Sequence, residues 1–207
     1  MSKRFEFFYD FESPFAFLAS TQVEALAQRT GAELLWRPIF LAGVMQAVDN
    51  RPPAQVVPKG KYLWRELVAW REIYNVRLKW PKRFPIGAHL RPIRGALFAF
   101  SKSLEAGVAY THAVFDAHWS QHVDITEDDV MRACCEKAGL DLAELDEAVK
   151  DPMLKQRLKD STQELIDRGG FGVPTFYVDG EEMFWGLDKM GWVEARLADK
   201  PLGPLRV

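Results

Sequence analysis

YDFESPFAFLAS, residues 9–20, follows an apolar run from Phe5 to Phe8 and sets Asp10, Glu12 and Ser13 ahead of an alanine-, leucine- and phenylalanine-rich segment opened by Pro14. This order reads as a strand turning into a helix. In KRFEFFY, Phe5, Phe7 and Tyr9 fall on one face and Glu6 and Phe8 on the other, which is the two-residue period of a strand. A helix is expected from Pro14 to about Arg29, because Phe15, Leu18, Ala19, Val23, Leu26 and Ala27 recur at helical spacing and Gly31 stands just past the end. Ser13 makes a good N-cap and Pro14 a good first helical residue. The third helical position is Ala16, so the cap lacks the Glu or Gln of a capping box. The same turn also offers free N–H groups and the positive end of a helix dipole to an anion. A thiolate is such an anion, and lowering a thiol pKa by two units from about 8.5 takes about 2.7 kcal/mol of selective stabilisation. Helix cap and anion site both remain open readings of Ser13.

Outward from this turn, GAELLWRPIF returns to strand character and ends at Pro38, giving a β-α-β unit with parallel neighbours. Leu41 to Gly60, including VDNRPPAQVVPKGK, is expected to be loop because of its prolines. From Tyr62 to about Ile166 the segments LWRELVAWREIY, IRGALFAFSKSLEA, YTHAVFDAHWSQ, TEDDVMRACCEKAG and DLAELDEAVKD mix apolar and charged residues at three-to-four spacing. Thr126, Asp141 and Ser161 are expected helix starts. FGVPTFYVDGEEMFWG reads as two strands around Asp179-Gly180, a strong hairpin signal. Asp188 to Ala198 supplies a last helix and KPLGPLRV an irregular tail. The economical architecture is α/β: a thioredoxin-like domain from residues 1–40 and 168–207, with a helical domain, residues 41–167, inserted in its middle.

With 207 residues, 48% of them hydrophobic, the chain can bury a substantial core. A net charge of −2 provides no overall positive field for nucleic acid. No run of about 18 apolar residues suggests a membrane span. Glu6, Asp10 and Glu12 interrupt what a signal peptide would need, so a cytoplasmic protein is expected. Cys134 and Cys135 are adjacent and read as ordinary helix thiols rather than a disulfide framework or zinc site. His118 and His122 fall on one face of an expected helix. They lack the glutamate of H-E-x-x-H and a third ligand, so no metal is assigned. The glycines of RGGFG match neither a P-loop nor a dinucleotide fingerprint.

Dithiol exchange would need thiols at positions 13 and 16, which hold Ser13 and Ala16. A serine hydrolase would need a base near Ser13, and all four histidines lie in the helical middle, with no G-x-S-x-G elbow present. Trp64, Trp70, Trp80, Phe84 and Trp119 can wall an apolar cleft, and Trp80, in the irregular WPKRFP, is placed nearest to it.

The second part of the candidate site is GVPT, Gly172 to Thr175. About 5–6% of bonds before proline are cis in folded proteins, but thioredoxin-like folds set a cis-proline opposite the first helix. The residue before that proline offers its backbone for strand-like pairing with a peptide ligand.

YDFESPFAFLA, NRPP…PKGKY and GVPTFYVDGEEMFWGLDKM, in that order along nearly the whole chain, resemble the 2-hydroxychromene-2-carboxylate isomerases and the related kappa-class glutathione transferases. The resemblance implies a thioredoxin-like domain with a helical insertion, dimerisation and glutathione as cofactor. By that resemblance Ser13 is the catalytic residue, donating a hydrogen bond to the glutathione sulfur. Val173 would pair with the cysteinyl backbone beside Pro174, and Asp188, in Trp185-Gly186-Leu187-Asp188, would meet the α-ammonium group. Lys59 suits a glutathione carboxylate. Phe40, Asn50, Arg51 and Trp80 would face a small aromatic carboxylate substrate, with the Arg51 guanidinium suited to its carboxylate. Lys59 and Arg51 also read as solvated loop charges, and Asp188 as a helix cap. The sequence departs from the family at Leu187, where Ser or Gln is common, and in IGAHLRP, which lacks an expected polar residue. The implied activity is a glutathione-dependent isomerisation. A transferase forming stable conjugates and a non-catalytic glutathione-binding module are the alternatives.

Overall fold

A computed structural model describes residues 3–85 and 89–202. Part of IGAHLRP and the end of the C-terminal tail lie outside the described residues. Strand β1 (Arg4–Tyr9) pairs in parallel with β2 (Glu33–Pro38), from Arg4 opposite Glu33 to Tyr9 opposite Pro38. On the other side of β1 runs β3 (Thr175–Val178), antiparallel, with Phe7 opposite Phe176. Strand β4 (Glu182–Trp185) completes the order β2-β1-β3-β4. Asp179 and Gly180 take φ of 50° and 80° in the connection between β3 and β4. With Val178 opposite Glu182, that connection holds three residues, Asp179 to Glu181.

Central position explains why β1 carries aromatic residues on both faces. Phe7 stacks on Tyr9 and Phe176 at 5.3 and 5.4 Å between ring centroids and meets the edge of Trp36 at 5.4 Å. On the opposite face Glu6 is buried beside Phe8. A buried carboxylate needs partners, and Arg168 supplies a two-pronged contact at 2.7 and 3.2 Å, with Arg37 at 3.6 Å. The Arg168 guanidinium lies 3.7 Å from the centre of the Tyr177 ring.

The helix expected from Pro14 to Arg29 is two helices, α1 (Pro14–Ser20) and α2 (Val23–Thr30). At the break Ser20 and Thr21 each donate a hydroxyl hydrogen bond at 2.7 Å to the carbonyl three residues back, a local bond that competes with continued helix. Gly31 ends α2 in the left-handed region at φ 65°, where glycine has no Cβ to clash.

The passage expected as loop contains α3 (Leu41–Ala47), a short 3-10 turn at Pro53–Gln55 and the start of α4 (Val57–Ile73). Prolines fit there because Pro53 and Pro58 occupy first-turn positions, whose N–H groups have no helical partner. IRGALFAFSKSLEA divides at Ser103, the cap between α5 (Leu90–Lys102) and α6 (Leu104–Trp119). Helix α7 (Asp128–Lys137) begins after Glu127 rather than Thr126, whose hydroxyl is bonded to Asp124. Asp141 caps α8 (Leu142–Ala148) as expected. Ser161, an expected helix start, lies inside α9 (Pro152–Asp167), which is capped by Asp151. A 3-10 turn at Leu187–Lys189 leads into α10 (Met190–Leu197).

The helices between β2 and β3 are fastened to the sheet at the turn after β1. Phe115 of α6 packs 4.9 Å from Phe11, and the Trp119 indole N–H donates to the Phe11 carbonyl at 2.8 Å. Among the described residues no helix is long and apolar enough to cross a membrane.

Candidate functional site

Ser13 caps α1 from extended backbone. Its Oγ accepts the Ala16 N–H at 3.1 Å and donates to the Val173 carbonyl at 3.3 Å. The hydroxyl is therefore both a helix cap and a bridge between the turn after β1 and the loop before β3. Helix α1 is only seven residues long, so any anion at this turn would depend on the hydroxyl more than on a long helix dipole. No hydrogen bond engages the Val173 N–H among the described residues. That leaves one backbone donor for strand-like pairing with a peptide ligand.

The Val173-Pro174 bond is cis. The Pro174 carbonyl accepts the Gly186 N–H at 2.9 Å, bringing the end of β4 to the same place. Gly186 holds φ 105°. Leu187 is buried at the start of its 3-10 turn, so its apolar side chain is part of the core. Asp188 is ion-paired with Lys189. Trp185 is exposed and its ring lies 4.9 Å from Phe171.

Asn50 reaches this loop from the helical part, its Nδ2 donating to the Phe171 carbonyl at 3.0 Å while its Oδ1 accepts the Arg51 N–H at 2.9 Å. Lys59, in the first turn of α4, lines a cavity of about 380 Å³ with Pro53, Pro58, Tyr62 and Leu63. Trp80 is part of an aromatic group, 4.9 Å from Phe84 and 5.4 Å from Trp64. Phe40 donates its N–H to Thr162 at 3.0 Å and turns its ring toward His89 at 5.5 Å. The structure thus gathers Ser13, Val173, Pro174 and Gly186 through direct bonds and ties Asn50 to them through Phe171. Among the described residues no hydrogen bond or ion pair joins Arg51, Lys59, Trp80 or Asp188 to Ser13.

Two residues bordering the turn were not singled out from the sequence. Asp10 is fully buried, and its carboxylate accepts the N–H groups of Glu12 at 3.0 Å and Leu41 at 2.7 Å. His89 Nε2 lies 3.0 Å from each oxygen of that carboxylate. Burial opposes a charge on this imidazole, but Asp10, with help from Glu12, outweighs burial and holds its pKa above the ordinary value. The signal was a histidine just before a helix and an aspartate just after a strand, 79 positions apart, which no local pattern connects.

His118 and His122 do not share a helix face. Helix α6 ends at Trp119, and His122, at φ 63°, bonds the Trp80 carbonyl. His118 is buried, and its surroundings push its pKa down to about 4. No group of three or more His, Cys, Asp or Glu among the described residues is arranged to hold a metal ion. Burial pushes the Cys134 and Cys135 thiols up to about 12 and about 11, so neither is a ready thiolate.

The sequence matches the DSBA-like thioredoxin domain family over residues 4–198. It is 30% identical over 201 residues to a 2-hydroxychromene-2-carboxylate isomerase of Sphingobium xenophagum, covering 96% of this chain and 100% of that one. It is also 30% identical over 211 residues to glutathione S-transferase kappa 1 of Rattus norvegicus, covering 97% and 93%. A solved 2-hydroxychromene-2-carboxylate isomerase superposes with a TM-score of 0.85 at 28% identity, covering 95% of each chain. A probable DsbA oxidoreductase of Streptomyces coelicolor shares the fold at TM-score 0.72 and 17% identity. The order of strands, the placement of the helices and these matches make the chain a member of the DsbA-like thioredoxin family, in the group of 2-hydroxychromene-2-carboxylate isomerases and kappa-class glutathione transferases.

Proposed function

We propose that this protein is a glutathione-dependent isomerase of 2-hydroxychromene-2-carboxylate or a similar intermediate of aromatic-ring degradation, working as a homodimer in the cytoplasm. The observation that carries the reading is the Ser13 hydroxyl bonded to the Val173 backbone, in a chain with no cysteine at position 13 or 16. When bound, glutathione supplies a thiolate that adds reversibly to the conjugated substrate and leaves unchanged.

The protein's share is binding and charge placement. Ser13 turns its hydroxyl from the Val173 carbonyl to the ligand sulfur, a charge-assisted hydrogen bond that favours the ionised form. Val173 offers its unengaged N–H to the cysteinyl backbone beside Pro174. Asp188 takes the α-ammonium group, releasing Lys189, and Lys59 takes a carboxylate. Trp185, Gly186 and Leu187 shape the wall between them. On the substrate side Arg51 binds the carboxylate, Asn50 adds a polar contact, and Phe40 and Trp80 flank the aromatic ring. Residues 1–40 and 168–207 form the glutathione-binding domain in this reading, and residues 41–167 form the substrate-side domain.

Ultraviolet thiolate absorbance of glutathione, measured with and without the protein across pH, tests the reading. Thiolate well below the pKa of the free thiol, abolished in Ser13→Ala, supports it. Saturating glutathione without thiolate would leave a binding module. The equal similarity to the rat kappa transferase favours a second reading, transfer with a stable conjugate. Loss of free thiol in step with product would establish transfer, whereas constant thiol during turnover fits the isomerase.

A further inference from the structure

The turn that carries Ser13 rests on two carboxylates and an imidazole. The Asp10 carbonyl accepts the Ser13 N–H at 3.1 Å, and the Asp10 side chain accepts the N–H groups of Glu12 and Leu41. His89 lies across the pair: Nε2 is 3.0 Å from both oxygens of Asp10 and Nδ1 is 3.4 Å from Glu12 Oε1. All three side chains are mostly or wholly buried, with Asp10 0%, His89 3% and Glu12 12% exposed. Among the described residues His118 of α6 also interacts with His89, and is itself reached by Asp124.

Ser13 follows Glu12 directly and stands three residues from Asp10. Both carboxylates belong to the turn that carries Ser13, and like charges within one turn disfavour an anion held at its hydroxyl. His118, pushed down to about 4, carries no charge at neutral pH to offset them.

We infer that His89 is a positioning residue for Ser13: as an imidazolium clamped between Asp10 and Glu12, it fixes the turn and offsets their charge so that an anionic sulfur can be held there. This rests on the glutathione reading above. The raised pKa of His89 agrees with the charge state required. Asp10 and Leu41 make the same clamp a link to α3, so the imidazole also sets where the Ser13 turn lies against the helical part.

The two sides of the clamp give opposite signs. His89→Gln keeps a hydrogen-bonding side chain but removes the positive charge. The titration of protein-bound glutathione should move up by about one pH unit, about a tenfold loss of thiolate at a fixed pH below both values. Glu12→Gln removes a negative charge and should move the titration down. The double variant should return toward the parent protein. Thiolate absorbance of the bound ligand reads all of these without turnover.

A role in packing alone would leave the titration in place or move it in one direction for both single variants, and either result overturns the inference. If His89→Gln does not fold, Glu12→Gln decides: a downward shift supports the charge clamp, and no shift or an upward shift overturns it. If the parent protein binds glutathione without lowering its thiol pKa, the glutathione reading fails first and the inference falls with it.

Discussion

The Ser13 hydroxyl lies 3.3 Å from the Val173 carbonyl and 3.1 Å from the Ala16 amide, so one side chain spans the start of α1 and the loop before β3. The cap and the ligand contact of the proposed function would be two uses of one oxygen, separable by substitution. Ser13→Ala should lose about 1 kcal/mol as a missing cap, about 2–4 °C in Tm for a chain of this size. Ser13→Gly should lose only a few tenths of that energy, because glycine is tolerated at this position. Both variants should abolish bound thiolate to the same degree. Calorimetry alongside the ultraviolet titration checks this; thiolate retained in Ser13→Gly would assign the residue to capping alone.

Much of this region was legible from order and spacing. The strand-to-helix turn, Pro14 at the first helical position, Gly31 as a stop and the Asp179-Gly180 turn are local signals, and the chain uses each of them. Three kinds of feature were not legible. The first helix divides at Ser20 and Thr21, whose hydroxyls bond carbonyls of the preceding turn, a break that helical apolar spacing conceals. Pro53 and Pro58 read as loop, although in first turns they are compatible with helix. His89 and Asp10 meet only because the start of α5 is folded back onto the turn after β1, and pairing at that separation leaves no periodic trace.

The two buried histidines give stability opposite dependences on pH. His118 is held down to about 4, below its ordinary value of 6.5, so its contribution is present above about pH 6.5 and fades as pH falls toward 4. The linkage amounts to about 3 kcal/mol. His89 is held above its ordinary value, so its contribution is complete below about pH 6.5 and is lost as pH rises through the raised value. Urea unfolding at a series of pH values should show both limbs. His118→Leu should flatten the acid limb and His89→Gln the alkaline one; unchanged slopes would contradict the assignment.

Gly186 occupies φ 105°, and a Cβ there would come within 2.6 Å of Asp188 Oδ1. Gly186→Ala should cost about 1–3 kcal/mol from the backbone conformation. It should also displace Asp188 and weaken glutathione binding more than Ser13→Ala does. Calorimetric titration with glutathione would read the difference, and equal affinities would detach Asp188 from the ligand.

Arg168→Met should destabilise the fold by about 3 kcal/mol, because it leaves Glu6 buried with only the longer Arg37 contact. Adding Glu6→Gln should restore part of the loss, since the uncompensated charge is then gone. Denaturant unfolding of both variants checks the sign of the coupling; a double variant weaker than the sum of the two singles would refute it.

The bond from Ser13 to Val173 joins positions 160 apart, and β1 lies between an early strand and a late one. During synthesis on a ribosome, β1 and β2 can pair while the remainder is still being added, but the loop before β3 must emerge before Ser13 can meet Val173. Long-range closure of this kind costs chain entropy before any contact offsets it. A nascent or truncated chain ending before Val173 therefore carries Ser13 without its partner on the far side of β1, and the contact between them forms only when about the last sixth of the chain is being made.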